Sequence, residues 1–313
     1  MMERESAQPS GSSGTSMSST KIGVFDSGVG GLTVLRAMLP RLPRAEFVYV
    51  GDTARLPYGS KSRATIARYA VSSVRFLVDQ GAEFLVIACN TASALAIDEI
   101  RDAAGKVPVL GVIETGAAEA RDTTKTGDVL VIATDATVQS HAYSTALAGL
   151  GMRAHEKACP LLVPLVEEGW IGHPVTADVI RIYLRELLGE AANYLLAADT
   201  LVLGCTHYPL LRAPIERVLN ELTNGELRQG PIQVIDSAEA TAKRVVAALP
   251  VWPSRGSAAS RATSASPSAL VNPNEYSKAV RFFATDSVTK FRSLGSRFLG
   301  QLIGDVELVD LGG

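Results

Sequence analysis

Apolar positions along this chain fall into short uninterrupted runs, and amphipathic stretches lie between them. "IGVF", residues 22–25, reads as a buried strand, and "LTVLRAML" after it as a helix that Pro40 ends. "EFVYVGD" is the next strand, and "RATIARYAVSSVRFLVDQG" has helical spacing with a glycine at its C-terminus. "EFLVIAC" then predicts a strand, residues 91–104 a helix, and "VPVLGVIE" a further strand. Strands without polar alternation, separated by helices, imply a largely parallel sheet covered on both faces.

The pattern then restarts. "GDVLVIATDAT" resembles the opening strand and its turn, and "VTADVIRIYLRELLG" predicts a helix with Gly189 near its end. "ADTLVLGCTHYPLL" aligns without gaps on "AEFLVIACNTASAL", sharing an alanine, two strand aliphatics, a cysteine and a leucine. Such a repeat predicts an α/β protein of two similar domains facing each other, with the site in the cleft between them. The first is expected over 21–111 with 230–313, the second over 112–229. "PIQVIDSAEATAKRVVAAL" adds a strand and a helix, and "AVRFFATDSVTKFRSLGSRFLG" another pair that completes the first domain. Residues 1–20 and 253–277 are rich in Ser, Ala, Gly or Pro, and are expected to be a disordered tail and a flexible insertion.

Composition narrows the function. The chain has 313 residues, 47% hydrophobic and 20% charged, enough for one large or two medium domains. A net charge of −2 gives no basic field for nucleic acid. No apolar run approaches the roughly 18 to 20 residues that span a bilayer, and no export signal is evident. Three cysteines are too few for a disulfide scaffold, so free thiols in the reducing cytoplasm are expected.

Two of those thiols stand out. Cys89 and Cys205 end equivalent strands of the repeat, where ligands bind in open α/β sheets. Each precedes polar residues and the expected first turn of a helix, which favours a nearby anion. A lone strand-end cysteine is ordinarily core, and Cys159 in "EKACPLLVP" is read that way. The paired context favours chemistry: one thiol takes a proton from a carbon on one face while the other returns one on the opposite face. Zinc on Cys89, Cys205 and His207 is the alternative, but no C-x-x-C or H-x-x-x-H spacing supports it. A cysteine hydrolase with Cys205 and His207 leaves Cys89 idle. "GVGG" lacks both the G-x-G-x-x-G spacing and a P-loop lysine.

Five motifs in order, "FDSGVGGLTVL", "YVGDTARLPYG", "ACNTASA", "VPLVEEG" and "LGCTHYPLL", resemble those of the glutamate racemases, in the aspartate/glutamate racemase superfamily. The likeness runs from about Lys21 to the C-terminus, apart from the 253–277 insertion. It implies cofactor-independent interconversion of L- and D-glutamate, which supplies D-glutamate for peptidoglycan. It implies Cys89 and Cys205 as the proton donor/acceptors, Asp26 beside the first and His207 beside the second, and Glu167 as the site glutamate, with Glu168 the competing choice. Substrate contacts carry over to Asp26, Ser27, Tyr58, Gly59, Asn90, Thr91, Thr134, Thr137, Thr206 and His207. No metal, nucleic acid or membrane enters, and the oligomeric state stays open, a homodimer among the options. An aspartate or hydantoin racemase, a decarboxylase and a non-catalytic two-domain binding protein are the competing readings.

Overall fold

The structure, a computed structural model, describes residues 19–190, 198–223, 231–249 and 279–312. Most of the expected N-terminal tail and all of the 253–277 insertion lie outside the described residues.

Two parallel sheets carry the fold. The first contains β1 (Lys21–Asp26), β2 (Glu46–Gly51), β3 (Phe84–Ile87), β4 (Val109–Gly111), β9 (Val280–Ala284) and β10 (Val306–Leu308), in the order β10-β9-β2-β1-β3-β4. The second contains β5 (Asp128–Ala133), β6 (Arg153–Ala158), β7 (Thr200–Gly204) and β8 (Gln233–Asp236), in the order β6-β5-β7-β8. Val24 pairs in register with Val86 across β1 and β3, and Val131 with Val202 across β5 and β7. Both sheets therefore reverse strand order next to their first strand, between β1 and β3 and between β5 and β7. A crevice opens beyond the carboxyl ends at such a switch point.

The central strands are almost continuously apolar because both faces are covered; every residue of β3, β5 and β7 is buried, the polar Asp128 and Thr200 at the strand starts included. Helix α1 (Leu32–Met38) buries six of its seven residues. Helix α2 (Arg63–Asp79) starts where Ser62 Oγ accepts from the Thr65 N–H at 3.4 Å and buries Ile66, Ala70, Ser73, Val74 and Leu77 on one face. It gives way to Gly81 at φ +82°.

Several sequence expectations are corrected. The helix expected over 91–104 is two, α3 (Asn90–Leu95) and α4 (Ile97–Ala104), parted at the fully buried Ala96 with φ −138° and ψ 13°. "VPVLGVIE" stops being strand at Gly111, and α5 (Val112–Thr123) follows at once. Strand β8, expected with the first unit, pairs with β7 in the second sheet, Val202 opposite Ile235. Its buried Val234 and Ile235 extend that sheet's two apolar faces. Short helices α6 (Asp135–Gln139), α7 (Ala142–Ala148) and α8 (Leu162–Glu167) complete the second unit with α9 (Pro174–Glu190) and α10 (Arg212–Thr223).

The two units share core. Helix α11 (Ser237–Ala248) lies against α1 and α5, where Thr115 Oγ1 and Thr241 Oγ1 are 2.7 Å apart. Thr33 Oγ1, on α1, donates to the Thr206 carbonyl at 3.1 Å. The last helix, α12 (Val288–Leu299), packs on α1 through a buried face of Phe291, Gly295, Phe298 and Leu299. Among the described residues no helix is long and apolar enough to cross a membrane.

Candidate active site

A cavity of about 530 Å³ opens where the two switch points meet. Its wall contains Cys89 and Cys205, together with Ser27, Tyr58, Gly59, Asn90, Thr91, Thr134, Glu167, Thr206 and His207. Asp26 and Thr137, expected to touch substrate, stand behind the wall, bonded to groups that line it. Glu168 faces a separate apolar groove with Trp170 and Val175, so geometry puts Glu167, not Glu168, on the cavity.

Cys89 sits where β3 becomes α3, capping that helix by accepting from the Ala92 N–H at 3.4 Å. Its thiol donates to Ser27 Oγ at 3.3 Å. Burial pushes Cys89 up to about 12, and the Asp26 charge adds to the rise. Asp26 ends β1 fully shielded; burial raises its pKa, while backbone N–H groups and the His207 charge oppose the rise. Asp26 Oδ2 accepts from the Gly28 N–H at 2.9 Å, and Oδ1 has no hydrogen-bond partner.

Cys205 follows β7 at the equivalent place in the second sheet. His207 Nδ1 is 3.9 Å from Cys205 Sγ, and His207 Nε2 is 3.1 Å from Glu167 Oε1. Burial alone would lower the His207 pKa, but its hydrogen bonds to Cys205 and Glu167 raise it to about 10. The same bond to His207 lowers Glu167. Phe298 from α12 presses edge-to-face on the imidazole, ring centroids 4.9 Å apart.

Hydroxyl groups gather on another part of the wall and just behind it. Thr91, Thr134 and Thr137 form a triangle, Oγ1 atoms 3.0 to 3.4 Å apart. It joins the start of α3 in one unit to the start of α6 in the other. Asn90 Nδ2 donates to Tyr143 Oη at 2.9 Å, leaving Asn90 Oδ1 buried without a partner. Tyr58 contributes its ring, since its hydroxyl donates to Asp52 Oδ2 at 2.5 Å. Asp52 also accepts from Arg55 and Thr285, which anchors the Pro57-Tyr58-Gly59 turn at the mouth.

Sequence reasoning missed Asp135, Pro160, Val163 and Lys290 on the wall. Asp135 was within reach, inside the quoted "ATDAT"; Lys290 comes from α12, more than eighty residues beyond the second cysteine motif, and carries no local signal. Among the described residues no cluster of three or more His, Cys, Asp or Glu is disposed to hold a metal ion.

Two thiols on one cavity, one of them tied to an imidazole and a carboxylate, can run acid–base chemistry from opposite sides. The Cys205–His207–Glu167 line by itself would also suit a thiol nucleophile. Comparison with known proteins places the chain among racemases. The sequence profile described as Asp/Glu/Hydantoin racemase matches residues 22–245. The glutamate racemase of Koribacter versatilis is 52% identical over 297 residues, covering 93% of this chain and 98% of that protein. That of Syntrophus aciditrophicus is 44% identical over 293 residues, with 93% and 96% covered. The crystal structure of Francisella tularensis glutamate racemase in complex with D-glutamate superposes with a TM-score of 0.73 at 32% identity, covering 93% of this chain and 98% of its own. The Thermus thermophilus glutamate racemase, in complex with beta-chloro-D-alanine, gives 0.72 at 38% identity, with 93% and 97% covered. Profile, full-length identity and fold agree, and this chain belongs to the Asp/Glu/Hydantoin racemase family.

Proposed function

We propose that the protein interconverts L-glutamate and D-glutamate with two cysteine acid–base groups and without a cofactor, supplying D-glutamate for peptidoglycan. The observation that carries this reading is that Cys89 and Cys205, at equivalent strand ends of the two sheets, line one cavity. The relatives in this family are glutamate racemases along nearly their whole length, which selects glutamate among the family's substrates.

The wall suits the substrate's charges. Ser27, Thr91, Thr134 and Thr206 offer hydroxyl donors to two carboxylates, and Lys290 offers a cation. Asp26, with its free buried oxygen, supports the ammonium through the wall. The proton steps follow from the thiols. At rest Cys89 holds its proton, because burial and Asp26 both oppose its charge. It is therefore ready to protonate a carbanion that Cys205 generates from the other face. In reverse Cys89 must be the base. An ammonium bound near Asp26 and Cys89 offsets their like charges, so binding itself eases that ionisation. His207, hydrogen-bonded to Glu167, balances charge at Cys205 and moves its proton.

The α-carbon is a weak acid, so orientation and preset electrostatics must supply the stabilisation. Circular dichroism of purified protein with either enantiomer and no additive should show both converge on the racemate. Exchange of the Cα hydrogen in D2O should accompany it. A non-catalytic binding protein would show neither.

A further inference from the structure

Helix α12 packs within the first unit, yet some of its side chains act on the second. Phe298 lies against His207, and Arg297 Nη1 donates to the carbonyls of Val166 at 3.3 Å and Glu167 at 3.1 Å. Those carbonyls end α8, whose last residue is Glu167. The helix closes with Gly169 at φ +80°: the Gly169 N–H reaches the Val166 carbonyl and the Trp170 N–H the Leu165 carbonyl. The Glu167 carbonyl is met by the guanidinium. A cation at a helix C-terminus also suits the dipole there. Gly169 leaves it little to spare, since an added Cβ would sit 3.0 Å from Arg297 Nη1.

We propose that Arg297 is a positioning residue for the Cys205 half of the reaction: it fixes the end of α8 so that Glu167 holds His207 on Cys205. This rests on the two-base reading above. Arg297 touches neither thiol, and acts through a chain of Arg297, the Glu167 backbone, the Glu167 carboxylate, His207 and Cys205. Among the described residues, the hydrogen bonds of Cys89 go to Ser27 and Ala92, both in its own unit. The contact also crosses between the two units, so the Cys205 relay is complete only while they are together.

The test reads the two thiols separately. Each enantiomer of 3-chloroglutamate loses chloride after a single Cα proton is removed, so its rate reports one base. In Arg297→Ala, chloride release should fall about tenfold for the enantiomer that Cys205→Ser cannot process, and stay within about twofold for the other. Arg297→Lys, which keeps the stem and charge but loses the fork, should fall between and covers the case in which the alanine variant does not fold. An equal fall for both enantiomers, or no change for either, overturns the proposal. A second readout needs no turnover: the His207 imidazole followed by NMR titration. Cys205, Glu167 and Asp26 are the titratable groups around it, with Lys290 beside Glu167. Loosening α8 weakens the Glu167 bond, so the His207 midpoint should drop in the Arg297 variants; an unchanged midpoint counts against positioning. If wild-type protein removes no proton from glutamate, the two-base reading fails, and the titration still decides whether Arg297 holds Glu167 on His207.

Discussion

A Cβ placed on Gly30 would lie 2.2 Å from Thr206 Oγ1 and 2.6 Å from His207 Nδ1. The glycine loop after β1 is thus pressed against the second cysteine motif, and the two units meet there with no room for a methyl group. This gives the glycine pattern its meaning. Gly28, Gly30 and Gly31 all have ordinary negative φ, so close approach, rather than a left-handed turn, requires glycine at Gly30.

Gly30→Ala should therefore shift His207 away from Cys205. Overpacking of this kind costs about 1–3 kcal/mol, so melting temperature should fall and turnover should fall further. Gly28→Ala is the control, because its added Cβ would meet only the flexible Leu56 side chain at 3.2 Å. Thermal unfolding and initial rates of both variants check this; equal effects would remove the special role of the Gly30 contact.

The His207–Glu167 pair sets a pH window. His207 is raised from 6.5 to about 10 in the folded state. A raised pKa contributes stability that is fully present below the unfolded value and is lost as pH rises through the folded one. Glu167→Gln removes part of that rise. The variant should be destabilised most near pH 6 and match wild type above about pH 10. Unfolding curves across the range test it, and a penalty independent of pH would mean the pair acts only by packing.

Cys89 supplies a separate alkaline limb. The unfolded thiol ionises near 9 and the folded one near 12. Between those values the folded state holds a proton that the unfolded state has released, so stability falls with rising pH, by up to about 1.4 kcal/mol per pH unit. Cys89→Ser abolishes this limb. The variant's stability should fall less steeply than that of wild type above pH 9, as urea midpoints at a few alkaline pH values would show.

Much of this was legible in the chain because the signals are local. Buried central strands are continuous apolar runs, and the repeat by itself aligns Cys89 with Cys205 at matching strand ends. What escaped was set by tertiary context. Strand β6, "RAHEKA", is an edge strand whose polar side chains are half buried, so it shows no apolar run. The break at Ala96 lies in "SALAID", among good helix formers, and packing overrides their propensity. Strand β8 had a clear pattern but no mark of which sheet would receive it. At the site, both cysteines stood out by repeat position, whereas Lys290 reaches the wall, and Arg297 the end of α8 behind it, only through the return of α12.

The final expectation concerns division of labour between the thiols. On the two-base proposal L- and D-glutamate present the Cα hydrogen to opposite sides of the cavity, so each cysteine should be the base in one direction and the acid in the other. Cys89→Ser and Cys205→Ser each replace a thiol with a hydroxyl too weakly acidic for the task, and racemisation should fall on the order of 10²–10⁴-fold or more. Because the overall equilibrium between enantiomers is symmetric, kcat/KM must drop equally in both directions, and steady-state racemisation cannot tell the bases apart. Elimination from 3-chloroglutamate can, because it needs only the first proton. Cys89→Ser should keep elimination from the L-enantiomer through Cys205, and Cys205→Ser should keep it from the D-enantiomer through Cys89, the handedness the family resemblance implies. The retained reactions should differ in pH dependence. The Cys205 reaction should follow the His207–Glu167 pair, and the Cys89 reaction should rise toward alkaline pH, since burial holds that thiol up near 12. If both single variants process both enantiomers equally, a single thiol acts from one side and the two-base mechanism is wrong.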